Sequence, residues 1–183
     1  MKKDTRRIVV VAMFAALIVV LQVAATFIHF GGFPITLTLV PIIVAGALYG
    51  TGTGALMGTV FGIVVLAMVV TGADPSGQAM LGIHPLVTTV VCVFKGTACG
   101  AASAAVYRLL SRRWPRGAAF AAAVVCPVVN TGCLYLTLVL FFDTALAVMF
   151  SAFISVNFLI ELAVNVILAP TVVRLVDMRR RTA

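Results

Sequence analysis

The sequence contains few charged residues, and most of those it has are positive. Only 10% of its 183 residues are charged, with 5 Asp and Glu against 13 Lys and Arg, whereas 63% are hydrophobic. About a quarter of the residues of a soluble domain are charged, and a soluble domain of this length cannot bury so much apolar surface. The chain is therefore predicted to be a single integral membrane domain over residues 1–183, without a sizeable extramembrane part.

The sequence also lacks the residue patterns that several functions need. Its four cysteines form no CxxC pair, and its two histidines lack metal-ligand spacing. Neither a metal site nor a cofactor is predicted, and the cysteines are interpreted as small packing residues in helices. The net charge of +8 does not indicate nucleic-acid binding, because the basic residues lie beside apolar runs.

Six apolar segments are predicted to cross the membrane as helices, at residues 8–28, 35–49, 54–70, 86–110, 118–142 and 146–173. The first is interpreted as a retained span, since its apolar run is longer than that of a typical signal peptide. The run YGTGTG at 49–54 predicts a tight turn, because it lacks the GK[ST] ending of a phosphate loop. The connection 71–85 is interpreted as either a plain linker or a lid over a site.

The basic residues predict the orientation of this bundle. Twelve of the 13 lie before the first span, around the connection from the fourth to the fifth, or after the sixth: Lys2, Lys3, Arg6, Arg7, Arg108, Arg112, Arg113, Arg116, Arg174, Arg179, Arg180 and Arg181. Six spans place all three clusters on one side, which the positive-inside rule assigns to the cytoplasm. The sequence therefore predicts an all-α bundle of six transmembrane helices in the cell membrane, with both termini cytoplasmic.

Lys95 and Glu161 are the only charged side chains deep inside the predicted spans, since Arg108 lies at the end of the fourth span. A charge near the bilayer centre costs about 2.5 kcal/mol or more, and it persists mainly beside a partner or a water-filled cavity. Both residues lie about halfway along their spans, as does Asn130. Pro127, three residues before Asn130, is predicted to loosen its helix. Together these positions predict a polar pocket inside the bundle.

A polar stripe runs along the sixth span, because Asn157, Glu161 and Asn165 repeat every four residues and so share one helix face. Two interpretations stay open. In the first, Lys95 and Glu161 form a buried pair, with the asparagines as contacts between helices. In the second, Lys95 receives the carboxylate of a ligand. Asn130, Asn157 and Glu161 then bind its hydroxyl and amide groups, and Asn165 and His84 complete the predicted set of six ligand-binding residues.

Other residues are predicted to line the entrance or to pack the bundle. His84 lies at the mouth of the fourth span, with Thr88 and Cys92 on the same side as Lys95. On the first span, one face carries Gln22, Thr26 and His29. Glycines repeat every four residues on the third and fourth spans, which predicts close packing within the bundle; they are Gly54, Gly58, Gly62, Gly96 and Gly100.

Four motifs extend over nearly the whole chain. They are a basic N-terminus leading to Ala12 and Ala16; LTLVP at 37–41, continuing through GALYG at 46–50 to GALMG at 54–58 and FG at 61–62; PVVNTG at 127–132; and NFLIEL at 157–162 with Asn165. In these motifs the chain resembles the substrate-binding (S) components of energy-coupling factor (ECF) vitamin transporters. The second and fourth motifs are the more specific.

The resemblance implies a six-helix bundle that binds a vitamin or related micronutrient from outside. It implies docking on a transmembrane coupling protein, which Ala12 and Ala16 contact, and on two ATPases. ATP hydrolysis then belongs to those partners, and the chain itself is not an enzyme. The motifs are most similar to pantothenate-assigned members, although Glu161 repels a carboxylate unless it is protonated or paired with Lys95. Another small vitamin precursor stays open.

An intramembrane enzyme and a stand-alone channel or transporter are the alternatives to this interpretation. An intramembrane protease needs Ser and His at similar depth, and both histidines lie near the outer edge of the predicted spans. A metalloenzyme needs a cluster of ligands, and Glu161 is the only carboxylate inside the spans. A stand-alone channel or secondary transporter stays open, because only dependence on ATPase partners separates it from an S component.

Overall fold

The computed structural model of the protein is a bundle of α-helices, and it describes residues 2–25, 29–30, 33–34, 38–142 and 144–182. Within these ranges the helices are α1 (Lys2–Ala25), α2 (Leu39–Tyr49), α3 (Thr51–Thr71), α4 (Pro75–Ile83), α5 (Pro85–Leu110), α6 (Pro115–Phe141) and α7 (Thr144–Thr182). Between α1 and α2, strands β1 (His29–Phe30) and β2 (Phe33–Pro34) pair in antiparallel orientation. The predicted all-α class is confirmed, with this short hairpin as an addition.

Five of the helices are long and apolar enough to cross a membrane, namely α1, α3, α5, α6 and α7. Helix α2 is apolar but has only 11 residues. It is about 16 Å long, whereas the hydrocarbon core of a bilayer is about 30 Å thick. Five helices thus have the length and apolar character of a membrane span and the sixth apolar helix is shorter, so the predicted count of six spans is not confirmed.

Glycine and proline set several helix ends. Gly50 and Gly72 have φ of 95° and 79°, a conformation that costs glycine little and other residues more. Gly50 alone separates α2 from α3, so most of the predicted turn at 49–54 is in fact the first turn of α3. Pro127 lies inside α6, and the helix continues through it to Phe141.

The connection 71–85 is not a plain linker, since it contains helix α4. Asp74 caps this helix: its Oδ1 accepts a hydrogen bond from the backbone N–H of Gly77 at 3.1 Å. Pro75 follows in the first helical position, where its fixed φ suits the helix and its missing N–H costs nothing. The sequence therefore contains a helix start that the apolar pattern alone does not show.

Helix α7 continues beyond the predicted end of the sixth span at residue 173, reaching Thr182. The prediction followed the end of the apolar run, but no glycine or proline lies between Val173 and the end of the helix. The last arginines of the chain therefore belong to a helical extension of the bundle.

Helices α3 and α5 pack in antiparallel orientation through their glycines. Gly54 lies against Gly100, Gly58 against Gly96, and Gly62 against the backbone at Cys92 and Val93. The hydroxyls of Thr59 and Thr97 lie 2.8 Å apart across the same contact. The prediction that these glycines serve packing within the bundle is confirmed, and the close contact fixes the depth of Lys95 relative to α3.

Candidate ligand-binding cavity

A cavity lies inside the bundle, with an empty volume of about 470 Å³ that includes space open to solvent. Its lining residues come from α1, α3, α5, α6, α7 and the start of α4: Gln22, Phe61, Val65, Asp74, Lys95, Asn130, Thr131, Leu134, Ile154, Asn157 and Glu161. We call this space the Lys95 lobe. Four of the six predicted ligand-binding residues line it, namely Lys95, Asn130, Asn157 and Glu161.

The polar stripe of α7 forms one wall of the Lys95 lobe. Glu161 is buried, and its Oε1 accepts a hydrogen bond from Nδ2 of Asn157 at 3.3 Å. Nδ2 of Asn165 donates to the backbone oxygen of Glu161 at 2.7 Å. Asn165 is therefore buried one turn further along α7, and it is not among the residues that line the lobe.

Asparagine oxygens give the lobe a surplus of hydrogen-bond acceptors. The Oδ1 atoms of Asn130 and Asn157 are buried, and neither accepts a hydrogen bond from the residues that the structure describes. Leaving a buried acceptor unsatisfied costs about 1–3 kcal/mol, so each such group in a native protein needs an explanation. A ligand that carries N–H or O–H groups would satisfy both atoms.

Gln22 closes the lobe on the side of α1. It is 1% exposed, and its Oε1 accepts a hydrogen bond from the hydroxyl of Thr38 at 3.0 Å. Gln22 therefore lies in the cavity wall, deeper than the entrance position predicted for it. Of its predicted companions, Thr26 and the side chain of His29 lie outside the described residues.

A second space adjoins the first, with an empty volume of about 350 Å³ that includes space open to solvent. Its lining residues are Val65, Val69, Asp74, Gly77, Met80, Thr88, Val91, Cys92, Lys95 and Leu134. We call it the Asp74 lobe. The two lobes share Val65, Asp74, Lys95 and Leu134, so they are neighbours along a common wall. The predicted grouping of Thr88 and Cys92 with Lys95 on one side of the helix is confirmed.

Asp74 is the site residue that the sequence did not single out. It is buried, with 8% exposure, although it lies in a connection between spanning helices. The Asp-Pro pair is a recognisable helix start, and that signal could have predicted α4. It does not reveal that the carboxylate faces a cavity, because this depends on how α4 packs against α3 and α5.

His84 does not join either lobe. It is exposed at the junction of α4 and α5, and its ring lies edge-on to the ring of Phe142, with centroids 5.3 Å apart. The structure thus places His84 outside the residues that line the cavity.

The cysteines match their predicted role. All four are free thiols, and Cys92, Cys99 and Cys126 are buried. Among the described residues, no group of three His, Cys, Asp or Glu side chains lies close enough to hold a metal ion.

The predicted partner-contact residues lie on an outer face of the bundle. Ala12 and Ala16 are exposed on α1, on the same helix as Met13, which is 65% exposed, and Val20, which is 64% exposed. The small side chains leave the helix backbone open to close approach by another helix.

The family of the chain follows from comparison with known proteins. The family model described as "ECF transporter, substrate-specific component" matches residues 6–173, which is nearly the whole chain and includes every lining residue of both lobes. No curated protein matches the sequence. The chain therefore belongs to the family of ECF transporter substrate-specific components, and it is a multi-pass membrane protein that acts as a non-catalytic transport subunit.

Proposed function

We propose that this S component binds pantothenate in the Lys95 lobe. The observation that supports the proposal most is the meeting of one lysine with the unsatisfied oxygens of Asn130 and Asn157 around one cavity. The ammonium group of Lys95 would hold the ligand carboxylate through a charge-assisted hydrogen bond. The asparagine oxygens would accept hydrogen bonds from the ligand.

The donors and acceptors of pantothenate suit this arrangement. The molecule has one carboxylate, one amide and two hydroxyls, so it offers one anionic acceptor and three hydrogen-bond donors. The lobe offers one ammonium donor and a surplus of acceptors. Glu161, already hydrogen-bonded to Asn157, can accept a further ligand hydroxyl, because a carboxylate has about four acceptor positions.

The transport role follows from the family, which works with an energy-coupling module. We propose that this module consists of a transmembrane coupling protein and two ATPases, and that Ala12 and Ala16 on the exposed face of α1 contact the coupling protein. Six crossings, with α2 as the short one, would place both termini in the cytoplasm, since Arg108, Arg112 and Arg113 are exposed where α5 ends and basic residues favour that side.

Thermal unfolding of the purified chain tests the ligand assignment. Pantothenate at 100 times its Kd should stabilise the protein by about 2.7 kcal/mol. Lys95→Met should lose most of this shift, because methionine keeps an unbranched side chain but removes the charge. Arg108→Met is the matched control on the same helix, and it should keep the shift because Arg108 is exposed outside the cavity.

A neutral analogue isolates the contribution of the carboxylate. Pantothenol carries an alcohol in place of the carboxylate, so it should bind the wild type more weakly than pantothenate does. Lys95→Met should bind the two compounds about equally. If the wild type responds to a different vitamin and not to pantothenate, the substrate assignment is wrong and the family assignment stands.

A further inference from the structure

We propose that the ligand extends from the Lys95 lobe into the Asp74 lobe, where Asp74 binds a hydroxyl on its branched aliphatic end. The inference rests on the proposed function and adds a second recognition group to it. Neither the family match nor the polar stripe of α7 assigns a role to Asp74 or to this lobe.

The two lobes differ in chemistry, and this difference orients the ligand. Apart from the shared residues, the Asp74 lobe contributes the aliphatic side chains of Val69, Met80 and Val91. The Lys95 lobe instead contributes amide groups and a second carboxylate. The ligand carboxylate then lies beside Lys95 among the amide groups, because the aliphatic side chains of the other lobe cannot donate hydrogen bonds to it. The branched aliphatic end then fits the other lobe.

Asp74 has acceptor capacity left for such a ligand. Its Oδ1 accepts the hydrogen bond from Gly77 that caps α4, which uses one of about four acceptor positions of a carboxylate. The residue is buried and lines both lobes. A buried carboxylate facing an apolar space is costly unless hydrogen bonds satisfy it, and a ligand hydroxyl would supply one.

The test separates ligand recognition from helix capping. Asparagine is about as good an N-cap as aspartate, so Asp74→Asn should unfold at the wild-type temperature in the absence of ligand. It should nevertheless bind pantothenate about 10- to 100-fold more weakly, as expected for losing a hydrogen bond to a charged group. Asp74→Ala is the contrasting variant, since it also loses the cap and should unfold at a lower temperature.

A modified ligand identifies the hydroxyl. The probe is the pantothenate analogue in which the primary hydroxyl at the end far from the carboxylate is replaced by hydrogen. The wild type should bind this analogue more weakly than pantothenate, whereas Asp74→Asn should bind the two about equally. Calorimetric titration of the detergent-purified chain gives the four dissociation constants of this cycle.

Each remaining outcome overturns a defined part of the reasoning. If pantothenate does not bind the wild type, the proposed substrate and this inference both fail. If pantothenate binds and Asp74→Asn binds it equally well, only the role of Asp74 fails. If Asp74→Asn weakens binding of pantothenate and of the analogue by the same factor, Asp74 does not contact that hydroxyl and the inference is again wrong.

Discussion

Replacing Gly58 by alanine should destabilise the bundle, although alanine is the better helix former. A Cβ at this position would overlap the carbonyl oxygen of Gly96, and it would lie 2.7 Å from the carbonyl carbon of Gly96 and 3.3 Å from Cα of Thr97. These are backbone atoms, so no side-chain rotation relieves the clash. Helices α3 and α5 would have to separate.

The size of the effect follows from two opposing contributions. Overpacking a close contact costs about 1–3 kcal/mol, and more where backbones must move apart, whereas exchanging glycine for alanine inside a helix gains about 0.5–1 kcal/mol. A net loss is expected, lowering Tm by about 2–4 °C for each kcal/mol in a chain of this size. Thermal unfolding followed by circular dichroism at 222 nm measures it.

Gly52→Ala is the matched control on the same helix. A Cβ on Gly52 meets no atom within 4 Å, so this substitution should leave Tm unchanged or raise it slightly. A Gly58→Ala protein that is as stable as Gly52→Ala would refute the close α3–α5 contact, and with it the positions of the residues that α5 brings to the cavity.

Two further predictions concern other parts of the molecule. Thr38→Val should lower Tm by an amount equivalent to about 1–3 kcal/mol, since it removes the hydroxyl that donates to Gln22. Combining it with Gln22→Leu should recover much of this loss of stability in a double-mutant cycle. Additive losses would show that the two residues are not coupled. Ala12→Trp should prevent co-purification with the energy-coupling module. It should leave the ligand-induced Tm shift intact, because Ala12 is exposed and far along α1 from the cavity residue Gln22. Normal co-purification of this variant would disprove the docking role of Ala12.

The long helices could be predicted from sequence because each depends on a local property. An apolar run long enough to cross the bilayer shows where a helix must exist, and Pro85 and Gly72 lie close to the boundaries that the structure has. Helix α4 was missed for a local reason too. Its sequence PSGQAMLGI contains two glycines and no long apolar run, so only the Asp74-Pro75 start indicated it.

The neighbours of each helix could not be predicted in the same way. Helices that are apolar on all sides carry no directional pattern, so the sequence does not tell which helices meet. Glycine repeats on α3 and α5 indicated that these helices pack closely somewhere, but only the structure pairs Gly58 with Gly96. The same limit applies to Gln22, whose bond to Thr38 depends on how α1 meets α2.

A site residue could be predicted from the sequence when burying its side chain costs much free energy. Lys95 and Glu161 lie mid-span, where a charge is expensive enough to need a function or a partner, so they were identified and both line the cavity. Asp74 lies at a helix start, where a carboxylate is ordinary and has a capping role. Asp74 becomes buried only when α4 packs over α3 and α5. Burial that depends on tertiary packing cannot be predicted from the local sequence. Residues of this kind, already occupied by a structural role, are where undetected ligand contacts should be sought in related proteins.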